Sequence, residues 1–208
     1  MSLTSFGAAL PFNGFDLVLV VVLIGGFLLG RKNGMSEELL PLVQWLIIIF
    51  GSAQLYQPLG QMLADATALS LLSSYIIAYI SVAIAVKLLL TGFKYLLKGK
   101  LIGGDAFGEG EYYLGMTAGM VRFGCGVIAI LAVLNARSFT RAEIEGDIKF
   151  QKDVYGSEFF PKLYTVQQMV FEKSATGSLI KQNLGFLLIK PTAPENKQRA
   201  QRKNWEMP

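Results

Sequence analysis

The sequence predicts an all-α membrane protein with about four transmembrane helices, followed by an amphipathic helical C-terminal tail. Hydrophobic residues make up 52% of the 208 residues and charged residues only 16%, unlike a soluble globular domain. The mean hydropathy of the chain is +0.45. Its apolar runs are continuous, whereas the strands of a membrane barrel alternate apolar and polar residues. Because a helix satisfies its own backbone in lipid, we expect these runs to be helical spans.

The predicted transmembrane domain covers residues 1–135. About 20 apolar residues in a helix cross the hydrocarbon layer of roughly 30 Å. The runs lie near residues 15–30, 39–56, 69–93 and 112–134. No Lys or Arg precedes the first run, while Arg31 and Lys32 follow it. Because a signal peptide has the opposite order of charges, we interpret the first run as a retained span.

The segment after the spans, residues 136–190, is predicted to be an amphipathic or interfacial helical segment. Apolar residues recur at helical spacing within residues 159–173, and a second helix is expected within residues 178–190, interrupted at Gly185. Such helices lie in the membrane interface or pack on loops or on a second copy. The composition of residues 191–208 is typical of a disordered tail.

The composition argues against an enzyme and against a metal or cofactor site. Histidine is absent, which removes the commonest general base and zinc ligand. Cys125 is the only cysteine, so it has no disulfide partner in the chain and no histidine to activate it. We therefore expect no catalytic, cofactor-binding or metal-binding residues, and an enzyme acting on lipid is the least favoured function.

The charge distribution favours a membrane over nucleic acid as the partner. The net charge of +4 resides in residues 136–208, and a basic tail beside an apolar body is typical of contact with anionic lipid. No nucleic-acid-binding motif is present. Four other charged residues lie near span ends, where solvated or dipole-compensating charges are expected. They are Asp16, Arg31, Glu37 and Glu38.

Basic residues in the short loops predict the orientation. The first and third loops contain Arg31, Lys32, Lys94, Lys98 and Lys100. The N-terminus before the first span and the second loop, residues 57–68, contain none. Since loops rich in Lys and Arg face the cytoplasm, we expect a multi-pass protein with both termini outside the cytoplasm.

Glycines mark one face of the fourth span. Gly115, Gly119 and Gly126 lie on the same helical face as Arg122, at steps of three and four residues. Gly26 and Gly30 repeat the four-residue step at the end of the first span. Small residues at this spacing let helices approach closely in lipid. We therefore expect the first and fourth spans to pack against each other.

Arg122 is a permanent cation near the middle of the fourth span. A charge at this depth costs about 2.5–3.5 kcal/mol on insertion scales, so it should face protein or water. In one interpretation Arg122 contacts an anion or lines a conduction path. In a second it ties helices together through backbone carbonyls or through Gln44, Tyr75 or Tyr79, which are polar intramembrane candidates. In a third the span begins later and Arg122 lies at a shallower depth.

Two stretches carry a family resemblance. In "FDLVLVVVLIGGFLLGRKNGMSEELLPLVQW" the matching residues are Asp16, Gly30, Arg31, Gly34, Glu38, Leu42 and Trp45. In "YYLGMTAGMVRFGCG" they are Leu114, Gly115, Gly119 and Arg122. With "GSEFFPKLYTVQQMVF", these stretches resemble the colicin V production protein (CvpA) family over about residues 15–172. The resemblance implies a bacterial inner-membrane protein of four spans, linked to bacteriocin production or secretion and to envelope maintenance.

From these observations we expect a non-enzymatic membrane protein that supports toxin export or envelope homeostasis. Its expected partners are the lipid bilayer and either a second copy or another envelope protein. The alternative is a small transporter or channel in which Arg122 lines the path.

Overall fold

The computed structural model describes residues 13–67, 69–96, 107–155 and 162–192. Its helices are α1 (Gly14–Ala66), α2 (Leu71–Leu96), α3 (Glu111–Asn135), α4 (Arg141–Tyr155), α5 (Leu163–Phe171) and α6 (Ala175–Asn183), with short 3-10 helices at Gly108–Gly110 and Gly185–Leu187. The predicted all-α fold class is confirmed. Within this described part of the chain, three helical stretches are long and apolar enough to cross a membrane: α1, the first 23 residues of α2, and Gly108–Asn135.

Helix α1 is broken at one residue. Gly34 has φ 75° and ψ 171°, a conformation outside the helical region that glycine adopts without steric cost. We call residues 14–33 the first arm and residues 35–66 the second arm. At about 1.5 Å per residue the first arm is about 30 Å long, the thickness of the hydrocarbon layer. The predicted loop between the first two spans is therefore reduced to Gly34.

The first arm runs antiparallel to α3. Gly30 faces Gly115, and Gly26 faces Gly119, so residue numbers fall along one helix as they rise along the other. Gly34, at the break, faces Glu111 at the start of α3. We call this the break end of the bundle, and the opposite end the tail end.

The second arm runs parallel to α3. Glu38 pairs with Arg122, and further along the arm Trp45 approaches Gly126. Because residue numbers now rise together, the chain has reversed direction at Gly34. The two arms are thus two successive helical segments of the bundle, and with α2 and α3 they give four.

Helix α2 runs antiparallel to the second arm. The Gln44 side-chain amide donates to the Lys87 carbonyl at 3.4 Å, and the ring of Tyr56 meets that of Tyr75 edge to face at 5.5 Å. Gly60 packs directly on Tyr75. The second arm is therefore still helical and packed at Gly60, and it ends only at Ala66. The prediction of a loop over residues 57–68 is corrected by this longer helix. Within the described residues, α2 packs on the second arm and hardly touches α3.

The tail packs on the end of the bundle where the first arm begins and α3 ends. One core joins aromatic residues of the second arm and α2 to α3 and to the tail. Its members are Tyr56, Tyr75, Tyr79, Leu131, Ala132, Ala136, Val170, Phe171, Leu188 and Ile189. The Asn135 amide donates to the Ile189 carbonyl at 2.9 Å, and the Lys190 backbone N–H donates to the Tyr56 hydroxyl at 3.1 Å.

The segment after α6 reaches further along the bundle. Leu187 lies in one cluster with Ile49 of the second arm and Cys125 of α3. Ile49 is about 10 Å closer to the break end than Tyr56 is, at about 1.5 Å per residue. The tail therefore contributes side chains to the bundle core.

The tail differs from its prediction in detail. Thr192 pairs with the end of α3, since its N–H donates to the Ala136 carbonyl at 2.9 Å and its carbonyl accepts from the Ser138 N–H at 3.1 Å. Thr192, which the sequence placed in a disordered tail over residues 191–208, is therefore packed on α3. The rest of that predicted tail, residues 193–208, lies outside the described residues. Helix α4 was not singled out in the sequence, and α5 covers residues 163–171 of the helix predicted at residues 159–173.

Candidate functional site

Arg122 lies in the interior of α3, about 16 Å along the helix from Glu111. Helical side chains lean toward the N-terminus of their helix, so the guanidinium extends toward the break end. Its Nη1 lies 2.7 Å from Oε2 of Glu38. The Glu38 side chain is fully buried and that of Arg122 is 19% exposed. The cation in the span is therefore matched by a carboxylate.

Glu38 has a second partner from another segment. The Asn33 side-chain amide donates to Glu38 Oε1 at 2.7 Å. Asn33 ends the first arm, Glu38 lies one turn into the second arm, and Arg122 belongs to α3. The Arg122–Glu38–Asn33 cluster therefore joins three helical segments. Removing one member of such a buried pair leaves an uncompensated charge, which is strongly destabilising.

The glycines beside the cluster bring two backbones into contact. A methyl group on Gly30 would collide with the Gly115 carbonyl, and one on Gly119 would collide with the Gly26 carbonyl. A methyl group on Gly26 would lie 2.7 Å from the Gly119 carbonyl oxygen. The structure thus brings together four of the five predicted glycines. Gly126 lies elsewhere, with room for a methyl group 3.9 Å from the Trp45 ring.

A second carboxylate fixes the break itself. The backbone N–H of Ser36 donates to Glu111 Oε1 at 2.7 Å, and the Ser36 hydroxyl donates to Oε2 at 3.0 Å. Glu111 thereby places its negative charge at the start of the second arm, where the helix dipole favours it. A methyl group on Gly34 would lie 2.6 Å from Glu111 Oε1.

A third carboxylate joins α1 to the tail. Asp16 is buried; its Oδ1 accepts from the Ser174 hydroxyl at 2.8 Å, from the Thr176 N–H at 3.1 Å and from the Thr176 hydroxyl. Its Oδ2 accepts from the Asn13 N–H at 2.9 Å in a capping box. One side chain thus serves the N-termini of both α1 and α6. Solvation, one of the two expectations for charges at span ends, does not hold for Asp16 and Glu38, because both are buried by neighbouring segments. The other expectation, compensation of the helix dipole, does describe Asp16 in the first turn of α1.

The polar residues proposed as partners of Arg122 have other contacts. Gln44 bonds to α2, while Tyr75 and Tyr79 pack in the core at the tail end. Sequence reasoning named Glu38 as a charge near a span end and as part of the family resemblance, but missed it as the partner of Arg122. The signal was present: a cation in a span needs a counter-charge, and Glu38 lies in the stretch that carries the family resemblance.

The fold and these buried charges define a class, a helical membrane protein with an internal ion pair and a tail packed on its bundle. The family model for the colicin V production protein matches residues 15–166. The chain belongs to the colicin V production protein family, as its resemblance indicated. Neither a curated protein nor a solved structure matches this chain.

Proposed function

We propose that this protein is a non-enzymatic protein of the bacterial inner membrane that supports colicin V-type toxin export or envelope homeostasis by binding a second copy or another envelope protein. The observation that carries the proposal is the 2.7 Å ion pair between Arg122 and the buried Glu38. A cation that is matched in this way fixes which helical segments meet and has little charge left for a solute.

The neighbouring contacts support a structural role for the pair. Asn33, Glu38 and Arg122 come from three segments, and the glycine contact holds two of these segments together. A cavity of about 850 Å³ lies between the second arm, α2 and α3, and Arg122 is not among its lining residues. These observations favour a rigid scaffold over a conduction path through Arg122.

One observation favours the alternative function, a small transporter or channel. The Arg122 side chain is 19% exposed, so part of this side chain remains reachable by a solute. In that function the ion pair would open during transport, and Arg122 would line the path.

We propose an orientation in which the break end faces the cytoplasm. Arg31 and Lys32 lie next to the break, and basic residues in short loops favour the cytoplasmic side. The first arm begins and α3 ends at the opposite, tail end. Both termini are therefore assigned outside the cytoplasm.

Glutamine variants of the ion pair separate the two functions. Secretion of a colicin V-type toxin is measured in cells that lack the native protein and express Glu38→Gln, Arg122→Gln or the double variant. For a structural pair, we expect each single variant to lower protein level and secretion together. The double variant should restore both, because it leaves no unpaired charge. Glu37→Gln and Arg31→Gln are the matched controls.

Solute flux into proteoliposomes is the second measurement. A scaffold gives no flux above empty liposomes in any variant. The proposal is wrong if the wild type conducts and the well-folded Arg122→Gln protein does not. It is also wrong if the double variant accumulates normally and yet fails to support secretion.

A further inference from the structure

A large apolar cavity lies on the side of the bundle. Its volume is about 850 Å³, within the range of about 300–1,000 Å³ typical of ligand sites. The second arm contributes Trp45, α2 contributes Ile76 and Tyr79, and α3 contributes Ala129 and Val133. The cavity is thus bounded by three membrane-capable segments.

The cavity opens toward the bilayer. Within the described residues α2 makes few direct contacts with α3, so the second arm closes the inner side of the space between them, and Leu163 of α5 also lines it. Ile84 and Ile130, which line the cavity on these two helices, are 53% and 70% exposed. Apolar side chains on membrane-spanning helices are exposed to lipid, so acyl chains are the medium that meets this opening.

The length of the cavity suits an extended acyl chain. Along α2 the lining runs from Leu72 to Lys87, about 22 Å at about 1.5 Å per residue. This length exceeds half of the hydrocarbon layer of roughly 30 Å, which is the depth that the acyl chains of one leaflet fill. One extended acyl chain therefore fits along the cavity.

Two polar groups distinguish the cavity from a plain lipid-facing groove. Arg137 lines its tail end, with a side chain 43% exposed and 3.9 Å from the nearest oxygen of Glu143. Tyr79 also lines it, and the Tyr79 hydroxyl is buried without a hydrogen-bond partner in the described part of the chain. At the far end, Lys87 is exposed, so its ammonium can extend away from the apolar lining.

We propose that this cavity is a binding site for an anionic phospholipid. One acyl chain fills the apolar length, and the headgroup phosphate binds the Arg137 guanidinium at the tail end. An ester oxygen of the lipid is a suitable acceptor for the Tyr79 hydroxyl. A zwitterionic lipid would present its phosphate together with a cation and so gain less from Arg137, while inorganic phosphate would leave the apolar lining empty.

Trp45 provides a reporter inside the cavity. The chain has two tryptophans, so Trp205→Phe leaves Trp45 alone. The full chain is reconstituted in phosphatidylcholine vesicles with a small fraction of brominated-chain lipid, which quenches a tryptophan that it touches. We expect brominated phosphatidylglycerol to quench Trp45 as strongly as if its local fraction were about fivefold above its bulk fraction. This is the enrichment of anionic lipid expected from one basic residue. Brominated phosphatidylcholine should quench only in proportion to its bulk fraction.

Arg137→Gln should remove the excess quenching by the anionic lipid. Arg141→Gln is the matched control, because it removes the same charge four residues further on and does not line the cavity. In a folded Ala83→Phe variant, which fills the cavity from α2, quenching by both lipids should fall. Equal quenching by the two lipids in the wild type would overturn the proposal. So would an excess that survives in Arg137→Gln, or one that Arg141→Gln removes equally.

Discussion

At the scale of residues, the bundle must accommodate a cation in the middle of a helical span. An unmatched Arg122 would cost about 2.5–3.5 kcal/mol on insertion scales. The carboxylate of Glu38 offsets this cost, but burying that carboxylate carries a desolvation penalty of its own. The Asn33 amide reduces the penalty by donating to the second carboxylate oxygen. The pair therefore adds little net stability over an apolar core, but the loss of either member is costly. The ion pair contributes mainly by determining that the second arm packs on α3 at this position.

The first arm contains Gly30, a glycine packed on α3, and Gly25, a glycine with open space around it. We expect Gly30→Ala to destabilise the bundle by about 1–3 kcal/mol, because its methyl group would collide with backbone of α3. Gly25→Ala, in the same arm, has nothing within 4 Å of the added methyl group and should be neutral or slightly stabilising. Thermal unfolding in detergent micelles compares the two. Equal stabilities would contradict the close approach of the two helices.

At the scale of elements, the sequence predicted the helices better than their connections. Continuous apolar runs fixed the type of each span, since only helices satisfy backbone groups in lipid. The one-residue break at Gly34 depends on Glu111, which lies 75 residues from Ser36 in sequence. Contacts at that separation leave no local pattern. Glycine spacing did indicate which spans pack together, but not that Glu38 would meet Arg122.

Helix α6 is tied to α1 by Asp16, which makes the tail sensitive to one substitution. Asp16→Ala removes charge-assisted hydrogen bonds worth about 1.5–3 kcal/mol each. We expect amide hydrogen exchange in α6 to rise about 10–100-fold, with the break end unchanged. Asp65→Ala, at the exposed other end of α1, is the control and should leave α6 protected. Unchanged exchange in Asp16→Ala would show that Asp16 does not hold the tail.

At the scale of the whole molecule, four successive segments alternate in direction, so the first arm begins and α3 ends at one end. The tail closes that end and extends Leu187 to Ile49 and Cys125. Its amphipathic pattern predicted helices, but not their partners, because an apolar face packs equally well on lipid, on loops or on a second copy. Only the tertiary contacts decide among these.

The alternation predicts the sidedness of the chain. A reporter active only outside the cytoplasm should work when fused after Pro208, and a cytoplasmic reporter should work when inserted after Lys100. The basic residues of the predicted first and third loops indicate that these loops face the cytoplasm. Activity of the cytoplasmic reporter at Pro208 would reverse the proposed orientation.

The central claim is that Arg122 and Glu38 act as one structural pair, and a double-mutant cycle tests it most directly. Free energies of unfolding in bicelles are measured for the wild type, Glu38→Gln, Arg122→Gln and the double variant. We predict a loss of about 3–5 kcal/mol in each single variant. The double variant should lose less than either single variant, because it leaves no unpaired charge, so the losses are strongly non-additive. Additive losses, or an Arg122→Gln protein as stable as the wild type, would contradict the account.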